Sequence, residues 1–136
     1  MKRLAIILGA ALMLLLSCTK EDAKKTYTFV EYTEGYKYLE EIAQGKFDIG
    51  YTFFINEYTE SGLKVKSNAI DKPQQGKKYY FTATEDTQYL TVKWQYSIDD
   101  DVEIRYMTNA FLLKEGQDIL IEVNEDTYFQ KSEPKN

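Results

Sequence analysis

The chain of 136 residues has no histidine, one cysteine and two prolines. Without histidine it cannot form a Ser-His-Asp or Cys-His nucleophile arrangement, and it lacks the usual ligands of a protein zinc site. A single cysteine rules out an internal disulfide, so the core must be stable without one. We therefore expect no enzyme activity, no metal site and no cofactor.

Excess positive charge is also missing. Lysine and arginine number 17 against 22 acidic residues, which gives a net charge of −5. An acidic protein repels the phosphates of nucleic acids, so we expect no nucleic-acid partner. Glycine is sparse as well, with seven residues, and no low-complexity linker is present.

The chain has one long apolar run, at its start. Met1-Lys2-Arg3 is basic, and thirteen apolar or small residues follow from Leu4 to Leu16. This is the layout of a secretory signal peptide, and it is too short for a membrane-spanning helix, which needs about 20 residues. The run predicts a signal peptide over residues 1–17 that is cleaved on export.

The end of that signal contains the only cysteine. Leu15-Leu16-Ser17-Cys18 resembles the lipobox of bacterial lipoproteins, although Leu16 departs from the small residue commonest at its position. In that family the cysteine thiol receives a diacylglyceryl group, a peptidase cuts just before it, and the new amino terminus is acylated. The resemblance implies lipidation of Cys18. The alternative is an ordinary signal peptide followed by a chance cysteine.

A second motif follows at once. Cys18-Thr19-Lys20-Glu21-Asp22 resembles the Cys-X-Lys-(Asp/Glu)-(Asp/Glu) export signal of Bacteroidetes-type surface lipoproteins. The resemblance implies that Lys20, Glu21 and Asp22 direct the protein through the outer membrane to face the medium. The alternative is that these charges only begin a solvated linker over residues 18–26.

After the linker, the composition and the hydrophobic pattern favour β-structure. The chain has twelve Tyr, seven Phe and one Trp, which favour strands. Apolar residues alternate with polar ones in several segments, typical of strands with one wet face. These segments are 27–33, 47–56, 63–66, 78–84, 89–98, 102–107 and 119–123. Residues 36–44 fit either a short helix or an irregular strand.

About seven antiparallel strands predict an all-β, antiparallel β-sandwich over residues 27–129, followed by a frayed polar tail, 130–136. A small closed β-barrel is the alternative, because alternation alone does not distinguish closure from stacking. A long strand with the single tryptophan, Trp94, at its centre is similar to immunoglobulin-like and transthyretin-like sandwiches.

Two turns predict specific strand pairings. Glu85-Asp86 is expected to close a hairpin that places Phe81 opposite Leu90 and Tyr79 opposite Val92. Asp99-Asp100-Asp101 is expected to form a three-residue turn between the next two strands. That turn would place Ile98, Tyr96 and Trp94 opposite Val102, Ile104 and Tyr106 on one apolar face.

No motif identifies a ligand. Asp99, Asp100 and Asp101 with Glu103 could hold calcium, but acidic residues at a hairpin tip usually face water. Exposed tyrosines could stack on sugars, but strand preference explains most of them. Phe54, on the wet face of its strand, is the residue that would reveal an exposed apolar patch.

These observations predict a non-enzymatic lipoprotein of the cell surface, attached to the outer membrane by lipid on Cys18. Lipoproteins of the type it resembles often accompany TonB-dependent importers of glycans or peptides. The resemblance therefore implies an accessory subunit of an outer-membrane importer complex. The alternative is an independent surface module that binds a glycan or a peptide.

Overall fold

A computed structural model describes residues 24–32 and 49–135. Within these ranges the chain forms nine strands and no helix. The strands are β1 (Thr26–Glu31), β2 (Ile49–Tyr58), β3 (Lys64–Asp71), β4 (Lys78–Thr82), β5 (Tyr89–Ile98), β6 (Asp101–Met107), β7 (Phe111–Leu112), β8 (Asp118–Val123) and β9 (Phe129–Gln130). The ambiguous segment 36–44 and the predicted strand residue Phe47 lie outside the described residues.

The strands form two sheets. The smaller sheet has the order β4-β1-β8, in which β1 runs antiparallel to β4 and parallel to β8. The larger sheet has the order β3-β2-β5-β6-β9, with β7 paired to the start of β5, and all its pairs are antiparallel. The parallel pair of β1 and β8 has no signal in the sequence, because its partners lie far apart in the chain.

The two sheets pack face to face around an aromatic core. The rings of Phe29 in β1 and Phe53 in β2 have centroids 5.2 Å apart, and Phe53 stacks on Trp94 of β5 at 6.0 Å. Tyr27, Leu90 and further residues of both sheets complete one continuous cluster. The described residues therefore form an all-β sandwich, as predicted, and they form no closed barrel.

The predicted hairpin between β4 and β5 is wrong. A turn does lie at Glu85-Asp86, but β4 pairs with β1 in the smaller sheet, where Tyr79 lies opposite Phe29 and Phe81 opposite Tyr27. β5 belongs to the other sheet. Alternating patterns do not distinguish a hairpin from a connection that crosses between sheets, because in both cases the same residues face the core.

The hairpin between β5 and β6 exists, but its register differs from the prediction by one residue. Its turn has two residues, Asp99 and Asp100, with φ of 48° and 70°. Ile98 pairs with Asp101, which places Trp94 opposite Arg105. Positive φ at both central residues is the signature of a type I′ turn, whose twist matches that of the flanking strands. A shift of one residue moves every side chain of β6 to the other face of the sheet.

This turn gives a prediction about stability. A left-handed conformation is costly for a residue with a Cβ, whereas glycine adopts it freely, and Asp-Gly is a preferred type I′ pair. We expect Asp100→Gly to raise the free energy of unfolding by roughly 0.5–1 kcal/mol in urea denaturation. Asp101→Gly is the matched control: Asp101 lies in β6, so its replacement is expected to destabilise the protein. Equal effects of the two variants would contradict the observed register.

The chain end is also more ordered than predicted. Gln130 lies in β9 and pairs with Tyr106, rather than starting a frayed tail. Three residues further on, the carboxylate of Glu133 accepts hydrogen bonds from Tyr58 and Thr91. The segment after β9 therefore lies against the outer face of the larger sheet, the face turned away from the core.

Candidate docking surface

The register of β6 determines which apolar side chains are exposed. Val102 pairs with Ser97, and Ile104 pairs with Gln95. The side chains of Val102 and Ile104 therefore lie on the outer face of the larger sheet. Val102 is 57% exposed and Ile104 43% exposed. The register predicted from a three-residue turn places both in the core instead. Two neighbouring β-branched residues exposed on a regular strand are informative, since single exposed apolar residues are common but contiguous patches are not.

Phe54 lies on the same outer face, two strands away from β6. It is half-buried between Ala69 of β3 and Lys93 of β5, and the Lys93 ammonium lies 4.3 Å from the ring centroid. This cation–π contact covers part of the ring. Phe54 is therefore no bare patch in itself, whereas Val102 and Ile104 on the same face are exposed.

The chain end covers the other part of this face. Glu133 binds Tyr58 and Thr91, and Tyr58 stacks on Tyr89 with centroids 5.0 Å apart and planes 9° apart. Burial, together with the hydrogen bond to Glu133, raises the pKa of Tyr58 well above its usual range. The open surface along β6 thus lies between the part of the face that the chain end covers and the Asp99–Asp100 turn.

Among the strands that the structure describes, none pairs with most of the outer edge of β6. β9 pairs only with Tyr106 and Met107, so within residues 24–32 and 49–135 no strand pairs with residues 101–105 at that edge. We call residues 101–105, with their exposed Val102 and Ile104 side chains, the β6 edge. Unpaired edges offer backbone donors and acceptors to another strand.

A polar trio lies on the inner side of the β6 edge. The Tyr96 hydroxyl donates to Oε2 of Glu103 at 2.8 Å, and Nη2 of Arg105 lies 3.5 Å from the same oxygen. The hydrogen bond from Tyr96 lowers the pKa of Glu103, and a separate side-chain interaction with Tyr96 raises the pKa of Arg105. Burial, with the Glu103 hydrogen bond, raises the pKa of Tyr96. The trio keeps Glu103 ionised and engages the guanidinium.

The exposed tyrosines do not form a stacking platform. Tyr128 is 80% exposed in the loop before β9, and Tyr80 is 74% exposed on the outer face of the smaller sheet. Tyr58 and Tyr89, whose rings are nearly parallel, are buried. The described residues therefore contain no row of exposed coplanar rings of the kind that would bind a sugar chain.

The acidic residues show no catalytic or metal-binding arrangement. Asp99 and Asp100 form the exposed turn, and no group of three or more acidic or cysteine residues in the described part of the chain could hold a metal ion. An open cleft of about 560 Å³ at the opposite end has acidic walls from Glu60, Glu85 and Asp86. None of these three carboxyl groups has a side-chain partner that would prepare it for acid–base work.

The most elaborate polar cluster is buried and structural. Glu57 of β2 is completely buried; its Oε1 accepts from Thr84 N and Thr87 Oγ1, both at 2.9 Å. Its Oε2 accepts from the Tyr27 hydroxyl at 2.7 Å and from Asn68 Nδ2 at 3.1 Å. Four donors saturate the acceptor sites of a carboxylate. Burial, together with the hydrogen bond from Tyr27 to Glu57, raises the pKa of the Tyr27 hydroxyl far above its usual range.

Sequence reasoning missed Glu57, although one signal was present. The alternation Phe53, Ile55 continues to position 57, so Glu57 occupies a core position in β2. A charge at such a position predicts a paired, buried carboxylate. Lys25, just before β1, joins the cluster by donating to the carbonyl of Thr87 at 2.7 Å.

The sequence-predicted site residues Cys18, Lys20, Glu21 and Asp22 lie outside the described residues. In the part that is described, no helix is long and apolar enough to cross a membrane. No protein-family model, curated protein or solved structure matches the chain.

Proposed function

We propose that this protein is a surface-exposed outer-membrane lipoprotein that acts as a non-enzymatic interaction subunit, docked on an outer-membrane importer complex through the β6 edge. The observation that carries the interaction role is the exposure of Val102 and Ile104 on a regular strand whose outer edge no other described strand pairs at residues 101–105. Large exposed apolar residues at an unpaired edge are an aggregation risk unless a partner covers them. A partner is therefore the simplest reason to keep them.

The place in the outer membrane comes from the sequence. Leu15-Leu16-Ser17-Cys18 supports lipidation, and Lys20-Glu21-Asp22 supports exposure at the cell surface. One acyl chain holds a protein only marginally, whereas the two or three chains of a lipoprotein hold it stably. Removal of residues 1–17 would leave 119 residues with a net charge of −7, since Lys2 and Arg3 leave with the signal.

The fold supports an orientation for the anchored domain. Lys25 is held by Thr87, and Ala83 N donates to the Lys25 carbonyl at 2.9 Å, so the chain enters the sandwich at the end where β5 begins. Lys25 lies seven positions after Cys18, which allows a reach of at most about 25 Å. β5 then runs ten residues, roughly 30 Å, to the Asp99–Asp100 turn. The β6 edge would thus begin at the end far from the lipid.

The alternative functions have less support. A glycan-binding module would use a row of exposed rings, and the described residues hold none. An enzyme would need a cleft with converging acids, and the acidic residues of the open cleft, Glu60, Glu85 and Asp86, have no side-chain partners that would prepare them for acid–base work. Peptide binding remains compatible with the β6 edge and would use the same surface.

The test is a mild-detergent pull-down of the tagged, full-length protein from its own outer membrane, read by mass spectrometry. We expect a stoichiometric outer-membrane transporter or barrel protein with the wild type, and at least roughly tenfold less with Ile104→Lys, because a buried charge at an interface is costly. Leu120→Lys, at an exposed position of β8, is the matched control and should retain the partner. A wild-type protein that comes down alone would contradict the proposal.

A further inference from the structure

We infer that the β6 edge adds one extended strand from a partner protein, and that this strand alternates apolar residues with lysine or arginine. This inference deepens the proposed function and rests on it. Strand addition to a sheet edge gives affinity through backbone hydrogen bonds and specificity through alternate side chains.

The backbone groups of the edge point in the required direction. In a two-residue hairpin the closing pair, Ile98 and Asp101, exchanges both backbone hydrogen bonds, and the pairs alternate from there. The backbone groups of Val102 and Ile104 must therefore face away from β5. The pattern continues past Tyr106, since Thr108 N donates to the Tyr128 carbonyl on the same outward side at 3.2 Å.

The length of the edge limits the partner strand. The Asp99–Asp100 turn closes one end of the β6 edge, and β9 occupies it from Tyr106 onward. Five residues remain, 101–105, in which Val102 and Ile104 each offer one donor and one acceptor. An added strand could form four backbone hydrogen bonds there, and its side chains on the outer face would lie beside Val102 and Ile104.

The charges near the β6 edge indicate which residues would alternate with the apolar ones in the added strand. Asp101 and Glu103 are exposed on the opposite face of β6, and Asp99 and Asp100 add two carboxylates at the turn. Arg105, the one cation on this stretch, contacts Glu103, and four carboxylates against one cation leave residues 99–105 with a net charge of −3. Opposite charges on directly paired residues stabilise a sheet, so basic residues are favoured in the added strand beside Asp101 and Glu103.

A second copy of this chain fits the edge less well. In a symmetric antiparallel pair centred on Glu103, Val102 would lie opposite Ile104 of the other copy, but the two Glu103 side chains would face each other. Like charges directly opposite destabilise a sheet. Each copy would also bring its Asp99–Asp100 turn, in a protein whose net charge is already −5. A basic strand from a different protein avoids both costs.

The test follows backbone amides of the full-length lipoprotein in detergent micelles by hydrogen exchange and NMR. The probe is a blocked heptapeptide of alternating lysine and valine, and the control peptide alternates glutamate and valine. On saturation with the lysine peptide we expect the amides of Val102 and Ile104 to exchange at least roughly tenfold more slowly, because they become hydrogen-bonded. Glu103 and Arg105 should be protected already by β5.

Two variants test the mechanism. Ile104→Pro removes the backbone N–H of residue 104, which points away from β5, at a sheet edge where proline is tolerated. It should lower the affinity for the lysine peptide at least roughly tenfold. Glu103→Lys retains the strand and should reduce the preference for the lysine peptide, because only Asp99, Asp100 and Asp101 then remain as carboxylates on this stretch. Absence of protection at Val102 and Ile104, equal affinity for both peptides, or protection that grows with protein concentration alone would overturn the inference.

The failure of this inference is distinguishable from failure of the proposed function. If the pull-down recovers a partner equally well with wild type and with Ile104→Pro, the strand-addition inference is wrong, while the role as an interaction subunit stands. If the pull-down recovers no partner, the proposed function is wrong, whether or not the lysine peptide protects the amides of the β6 edge.

Discussion

Glu57→Ala is expected to lower the free energy of unfolding by about 3–5 kcal/mol, because it removes the acceptor of four hydrogen bonds inside the sandwich. The donors left behind come from Tyr27, Asn68, Thr84 and Thr87, and the carboxylate they lose is completely buried. Such a loss is a large fraction of the stability of a domain of this size. Urea denaturation of the purified protein measures it.

The cluster also joins parts of the fold that no single sheet connects. Tyr27 belongs to the smaller sheet, Glu57 to the larger one, and Thr84 and Thr87 to the connection between β4 and β5. Glu57→Gln, which replaces one acceptor oxygen by a donor, is expected to have an intermediate effect. Glu122→Ala, at an exposed position of β8, is the matched control and should change stability by less than about 0.5 kcal/mol. A Glu57→Ala variant as stable as this control would show that the cluster is dispensable.

Cys18→Ala is expected to move nearly all of the protein from the membrane fraction to the soluble fraction. The reason is that, in the proposed lipoprotein, acyl chains on Cys18 would supply the membrane attachment, at about 0.8 kcal/mol for each buried methylene. Cell fractionation with intact-mass measurement of the wild type checks both the location and the added lipid. A wild type that carries no lipid, or a variant that stays in the membrane, would contradict lipid anchoring at Cys18.

A second variant separates anchoring from export. Replacing Lys20, Glu21 and Asp22 together by alanine should leave the lipid and the membrane fraction unchanged, but protect the protein from a protease added to intact cells. If this triple variant is as accessible to the protease as the wild type, these three residues are not the export signal.

Hydrophobic alternation predicted the strands of the core well. Tyr51, Phe53 and Ile55 in β2, and the buried face of β5 around Trp94, are buried as their period of two predicts. Alternation depends on local geometry alone, which is why it succeeds within a strand. It gave the all-β sandwich, but not which strands are neighbours.

Pairing and register depend on information that alternation lacks. The observed β5–β6 register depends on a two-residue turn in which Asp99 and Asp100 have positive φ. The apolar pattern favours a three-residue turn instead, because that turn would bury Val102 and Ile104. The pattern therefore favoured the wrong register at a strand whose apolar residues Val102 and Ile104 are exposed. Conflicts between local pattern and observed structure are expected where a surface serves binding rather than stability.

Glu57 was missed for a related reason. Charged residues were assigned to the solvent, and only its place in the alternation of β2 marks it as buried. Its donors come from β1, β3 and the connection after β4, and no sequence pattern brings them together.

The central claim is that the β6 edge is covered by a partner at the cell surface. The most direct test places a photo-crosslinking amino acid at Val102 in living cells, with Leu120 as the control position, since both side chains are exposed, on opposite sheets. The account predicts that Val102 crosslinks to a single outer-membrane protein and that Leu120 does not. A Val102 position that forms no crosslink, or crosslinks no more selectively than Leu120, would contradict it.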